Sequence, residues 1–467
     1  MAFFLLAFLD TPLRHDPEFG TRPAFAAAGA ALMAIWWLTE ALPIYVTACV
    51  PIVLFPLTGA LSVPDAVLPY FDPYIFLFAG GMGIAAAMQQ WNLHRRIALG
   101  IMDRIGSDPR RLLAGTLAAT AFISLWISNT ATAAMMMPIG LAVVLQVEDQ
   151  RGAGRLRHYG MAIMLAIAYG ANVGGIGTKI GTAPNAQFSG FMERMGIEVT
   201  FLQFLAVGMP FVLLFLPVVW WMLWRMGRQE GLSGEIGEEV IAGELGKLGP
   251  VRRPERIVLG VFLATAGLWI AGKVLTDFLK ARVAPDLTSA HVEGGIAVLA
   301  ALLLMAWRTQ GRQVLGFKAL GKVPWETLLL LGGGFAMAAA IQKSGLSAWL
   351  GAQLLAIRDL PPFAQVLLSS IAVVALSAVA SNTATIAVML VVLKDAVAPE
   401  IMTTTLFAAT IACSCDFALP VGTPPNAIVF GSGYVSIPRM ARTGVVLDLL
   451  AASLAAVWCW LIVRWVL

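Results

Sequence analysis

The chain has 467 residues, 59% of them hydrophobic and 12% charged, with a formal net charge of +4 and a mean hydropathy of +0.81. Soluble domains are about one-quarter charged, so this composition excludes a soluble fold, and no nucleic-acid partner is expected. Apolar runs of roughly 18 or more residues recur, each long enough to cross ~30 Å of hydrocarbon. The short alternating segments of a β-barrel are missing, which leaves an all-α polytopic membrane protein, expected in a cytoplasmic (inner) membrane.

Residues 1–22 hold about nine apolar positions before Asp10 and no basic n-region, a poor signal peptide. They read as a shortened first helix or an interfacial segment. Apolar segments follow at about 23–41, 43–61, 73–92, 113–148, 159–190, 201–224, 256–275, 291–307, 325–342, 361–395, 403–431 and 443–467. The segments 113–148 and 361–395 are too long for one crossing. Each carries the same polar string in its middle: ISNTATAAMMMPIG (127–140) and ASNTATIAVMLVVL (380–393), 253 residues apart. A re-entrant hairpin is expected in each, because polar backbone at membrane depth survives only inside protein or beside a watery cavity. If 113–148 re-enters from the cytoplasm and 361–395 from outside, 20 of the 31 Lys and Arg lie in inside loops and nine outside. That bias agrees with the positive-inside rule.

The repeat extends further. AGGMGIAAAMQQWNL (79–93) matches GGGFAMAAAIQKSGL (332–346) at the same offset, and GTAPN (181–185) returns as GTPPN (422–426). Each half reads as spanning helices, a glycine-rich helix, a hairpin, an interrupted helix and a final span. Inverted repeats with helices broken at corresponding places point to a secondary transporter with its site near the midplane.

At a hairpin tip the second half-helix begins, with unpaired N–H groups and the positive end of its dipole. Ser128, Asn129 and Thr130 stand at one tip and Ser381, Asn382 and Thr383 at the other, suited to anionic oxygen. Gly181-Thr182-Ala183-Pro184 and Gly422-Thr423-Pro424-Pro425 cannot stay helical, because proline removes a donor and restrains its predecessor. Their freed carbonyls suit sodium, and the threonine hydroxyls can reach a substrate oxygen. Ser124 and Ser377 precede the two tips by one helical turn. Each either bonds back to its own helix or completes a cation site.

The two SNT motifs, the GTAPN and VGTPPN breaks and WWLTEALP (36–43) together resemble the divalent anion:sodium symporter family from about residue 23 onward. The resemblance implies a carrier of dicarboxylates, citrate or sulfate, with C4 dicarboxylates such as succinate expected here. It also implies Na+ as coupling ion, no covalent cofactor, a homodimer, and a scaffold against which a transport domain moves as an elevator. On that plan the segment 1–22 precedes scaffold helices 23–112. Residues 113–226 form the first transport-domain half and 227–255 a cytoplasmic loop. Residues 256–360 form the second scaffold part and 361–467 the second transport-domain half. Carried over position by position, substrate contacts Ser128, Asn129, Thr130, Thr182, Ser381, Asn382, Thr383, Thr423 and Pro424. One sodium takes Ser124, Ser128, Asn129 and Gly181; the other takes Ser377, Ala380, Asn382, Gly422 and Pro424.

Lys179 and Asp416 depart from the pattern, standing where apolar or small residues are expected. Intramembrane charges are functional candidates. Either they pair with one another, or each faces an aqueous vestibule or snorkels, or Lys179 stands in for a sodium. GFKALGKV (316–323) has phosphate-loop spacing but ends in Val and lacks a preceding strand. The four cysteines read as small packing residues, and the dispersed histidines support no metal site. No constellation of a membrane protease is present, so an enzyme is not expected. The alternatives are a sodium-independent anion exchanger, a sulfate or citrate carrier, and, more distantly, an anion channel.

Overall fold

The computed structural model describes residue 7 and residues 12–467, apart from 152–155, 233, 235, 310, 322 and 354. Of the segment 1–22, the apolar stretch before Asp10 thus falls, residue 7 apart, outside the described residues. Helices dominate: α1 (Arg22–Thr39), α2 (Pro73–Gln90), α3 (Leu93–Ile105), α4 (Pro109–Ser124), α5 (Asn129–Arg151), α6 (Arg157–Gly175), α7 (Ala183–Arg194), α8 (Phe201–Gly227) and α9 (Glu238–Leu248). After them come α10 (Arg253–Ile270), α11 (Gly272–Arg282), α12 (Ser289–Ala306), α13 (Trp325–Lys343), α14 (Pro362–Ser377), α15 (Asn382–Ala396), α16 (Met402–Cys413), α17 (Pro424–Phe430) and α18 (Ile437–Val466).

Local sequence sets the starts. Asp72 caps α2 and Asp108 caps α4, each followed by proline at the first turn. Thr200 and Gln203 form a reciprocal capping box on α8. Both long segments divide at the repeated motif: α4 ends at Ser124 and α5 begins at Asn129, while α14 ends at Ser377 and α15 begins at Asn382. The interrupted helices divide as well, α6 from α7 and α16 from α17.

Among the described residues six helices are long and apolar enough to cross a membrane, or seven if the α10–α11 pair, bent by 69°, counts as one. That bend falls within the segment read as a single run over 256–275. The segment 227–255, expected as a cytoplasmic loop, contains helix α9. Helix α9 is held to α3 by Arg95–Glu244 at 2.5 Å, and Arg96 pairs with Glu255 at 2.7 Å.

The halves pack crosswise. Helix α5, which starts at the first tip, contacts α17, which starts at the second break. Helix α15, which starts at the second tip, contacts α7, which starts at the first break. This exchange puts all four motif-bearing helix starts in one contiguous body, with α6 and α16 buried along nearly every residue inside it.

Candidate functional site

Behind each tip sits the same three-oxygen cradle. Ser124 Oγ donates toward Asn129 Oδ1 at 2.8 Å and the Ala171 carbonyl at 2.7 Å. In the other half Ser377 Oγ donates toward Asn382 Oδ1 at 2.8 Å and the Cys413 carbonyl at 2.8 Å. Both serines are fully buried. A hydroxyl has one proton for two acceptors, so each cradle is rich in oxygen and short of positive charge. The serines therefore do not merely bond back within their own helices; each reaches the interrupted helix of its half.

The interrupted loops are stitched by the last residue of their motif. Asn185 Nδ2 donates to the carbonyls of Gly175 (2.9 Å) and Thr178 (2.7 Å), and Asn426 Nδ2 to those of Asp416 (3.1 Å) and Leu419 (2.9 Å). The first loop is pressed onto its cradle: a side chain at Gly175 would overlap the Asn129 amide, and one at Gly181 would overlap the Gly175 backbone. Gly181 and Gly422 are buried, and Ala380 lies buried at the second turn with its N–H on the Ser377 carbonyl. The halves are joined at depth by α6. Asn172 Nδ2 donates to Asp416 O (3.2 Å) and Thr423 Oγ1 (3.1 Å), and the Tyr169 hydroxyl to Phe417 O (2.9 Å).

The tips are more open than the cradles. Ser128, Asn129, Thr182, Ser381, Asn382 and Thr383 are half-buried, while Thr130 and Pro424 are exposed. Thr423 differs from Thr182. Its hydroxyl already accepts from Asn426 N and Asn172 Nδ2, whereas Thr182 makes no capping bond.

Lys179 does not pair with Asp416. Its ammonium donates to Glu293 Oε2 at 2.7 Å, both side chains being fully buried, and it lies 5.1 Å from the centre of the Tyr74 ring. Glu293 Oε1 accepts from Phe201 N at 2.6 Å. The reason is positional: Lys179 stands two residues before its motif glycine and Asp416 six before its own, so the internal symmetry puts them in different parts of the two loops. The interrupted helices do meet, but through Tyr169 and Asn172. Neither carboxylate oxygen of Asp416 has a hydrogen-bond partner among the described residues.

Sequence reasoning missed Glu293, Asn172 and the stitching roles of Asn185 and Asn426. The recurrence of Asn in both motifs was the one available signal for the latter pair; the carbonyls of Ala171 and Cys413 carry none.

The family model for the sodium:sulfate symporter transmembrane region matches residues 21–466. The chain is 35% identical over 460 residues to the sodium-dependent dicarboxylate transporter SdcS of Staphylococcus aureus strain USA300, covering 96% of this chain and 87% of that protein. It is 36% identical to the protein of the same name in strain MRSA252, over the same shares. Among solved structures, the YdaH transporter of Alcanivorax borkumensis aligns with a TM-score of 0.59 at 13% identity, covering 94% of this chain and 99% of that one. MtrF of Neisseria gonorrhoeae aligns with a TM-score of 0.55 at 10% identity, covering 94% of each. At such identities these two likenesses speak to the fold alone.

Proposed function

The chain belongs to the sodium:sulfate symporter family and is a multi-pass membrane transporter, not an enzyme; from that premise we propose that it moves C4 dicarboxylates such as succinate together with Na+. The observation that carries this reading is the pair of buried serine–asparagine–carbonyl cradles set directly behind half-open SNT tips. Small cations take oxygen ligands, and helix starts favour anions. Sodium in the cradles would draw the anion to the tips, and the tips of both halves would hold one carboxylate each. The name of the S. aureus relatives, which are sodium-dependent dicarboxylate transporters, favours dicarboxylate over sulfate or citrate.

On the same reading the hairpins open to opposite faces of the membrane. Segments 113–226 and 361–467 move as a transport domain against scaffold segments 23–112 and 256–360, in a homodimer. The crosswise packing of α5 on α17 and of α15 on α7 supports one moving body built from both halves. Uptake of labelled succinate, citrate and sulfate into proteoliposomes, with and without an inward sodium gradient, tests the proposal. Saturable succinate uptake stimulated by sodium is expected. Absence of uptake for all three anions would overturn it, and succinate exchange indifferent to sodium would replace symport with exchange.

A further inference from the structure

Asp416 occupies in the second half the place that Gly175 holds in the first. Each lies ten residues before the motif asparagine, and the backbone carbonyl of each accepts that asparagine's Nδ2, at 2.9 Å for Gly175 and 3.1 Å for Asp416. The direction a side chain takes from this place is known from the first half: at Gly175 it would run into the Asn129 amide, one wall of the first cradle. The second half has a side chain there. Its carboxylate lies against Gly422, the counterpart of Gly181, so by the internal symmetry it is aimed at the cradle of Ser377 and Asn382.

That carboxylate is fully buried, and neither oxygen meets a donor among the described residues. Lys179, the buried cation of the opposite loop, is committed to Glu293. The next carboxylate, Asp448 on α18, is itself buried and accepts from Phe417 N at 2.8 Å, so it adds negative charge to the region. A buried, unpaired carboxylate is costly unless it is paired or coordinates a cation.

We propose that Asp416 is a direct ligand of the cation in the second cradle, giving that site a full negative charge where the first has neutral oxygens only. The proposal rests on the sodium-symport reading. Its consequence is that the two cation sites are unequal, the second binding Na+ more tightly and filling first. Contacts to a charged group are the strong ones, and losing one weakens binding about tenfold or more.

The test compares wild type with Asp416→Asn and with Asp416→Gly, which restores the residue of the first half. Two readouts are taken: the sodium concentration giving half-maximal succinate uptake, and the sodium-dependent rise in thermal-unfolding temperature of purified protein, with choline as the reference that reports folding. Both sodium midpoints should rise about tenfold or more in the variants. Wild-type uptake without sodium dependence would remove the symport reading itself. Sodium-dependent wild type beside folded variants with unchanged midpoints would overturn the ligand proposal alone. Variants that keep the sodium midpoint but lose stimulation by an inward proton gradient would also overturn it, assigning Asp416 to a proton instead.

Discussion

Asn129 and Asn382 each face two ways. The side-chain oxygen of each closes a buried cradle with a serine, while the residue itself opens the helix whose start lies at the half-open tip. Replacing either by alanine removes a polar group from both places. Losing one hydrogen bond to a charged partner costs roughly 1.5–3 kcal/mol, so Asn129→Ala and Asn382→Ala should each lower uptake at least tenfold in proteoliposomes. Near-normal uptake by either would contradict a site shared between the halves. These asparagines were legible because they repeat, together with their serines, at one offset. Their third partners were not: the Ala171 and Cys413 carbonyls belong to backbone, and any residue type supplies one. Glu293 escaped for another reason. It stands in HVEGG at the start of an apolar run, where a charge ordinarily marks a span's end rather than its buried wall.

At the scale of elements, the breaks were legible wherever Gly and Pro make a helix impossible, as at 181–184 and 422–425. They were less so where amphipathic helices sit outside the apolar runs, as with α9. The Lys179–Glu293 pair fastens the first interrupted loop and the start of α8 to α12. Breaking a buried pair costs several kcal/mol, typically 3–5, because the other charge is stranded. Lys179→Leu and Glu293→Leu should each lower thermal stability strongly, and the double variant should recover much of the loss. Simple addition of the two losses would show that the pair contributes no coupling. Helix α3, outside the apolar spans, carries His94, 7% exposed, with Nδ1 3.1 Å from the Met88 carbonyl. Burial pushes its imidazole down to about 4; the Met88 carbonyl works against this and Arg95 adds to it. The folded protein therefore keeps this ring neutral, while the unfolded chain takes a proton near pH 6.5. Stability from this group is present above about pH 6.5 and is lost as pH falls toward 4. Between pH 7 and 5 wild type should lose about 2 kcal/mol more than His94→Gln, a difference readable in unfolding temperatures across that range.

For the molecule as a whole, composition and the duplicated motifs were enough to place the chain among membrane transporters, since 12% charge and twelve apolar runs leave little else. What joins the halves was hidden. Tyr169 and Asn172 reach the second loop across 248 and 244 residues of chain, and no local pattern announces contacts of that range. The Lys179–Glu293 bridge likewise spans 114 residues, and that separation has a consequence for how the protein is made. At ~5–20 residues per second, a ribosome needs roughly 6 to 23 seconds to pass from the lysine codon to the glutamate codon. Throughout that interval the nascent chain holds an ammonium group destined for a dry interior while its counter-charge is still unmade. Burying that charge alone is costly, so an aqueous boundary is the favoured place for the Lys179 loop until then, and its docking on α12 follows the synthesis of Glu293.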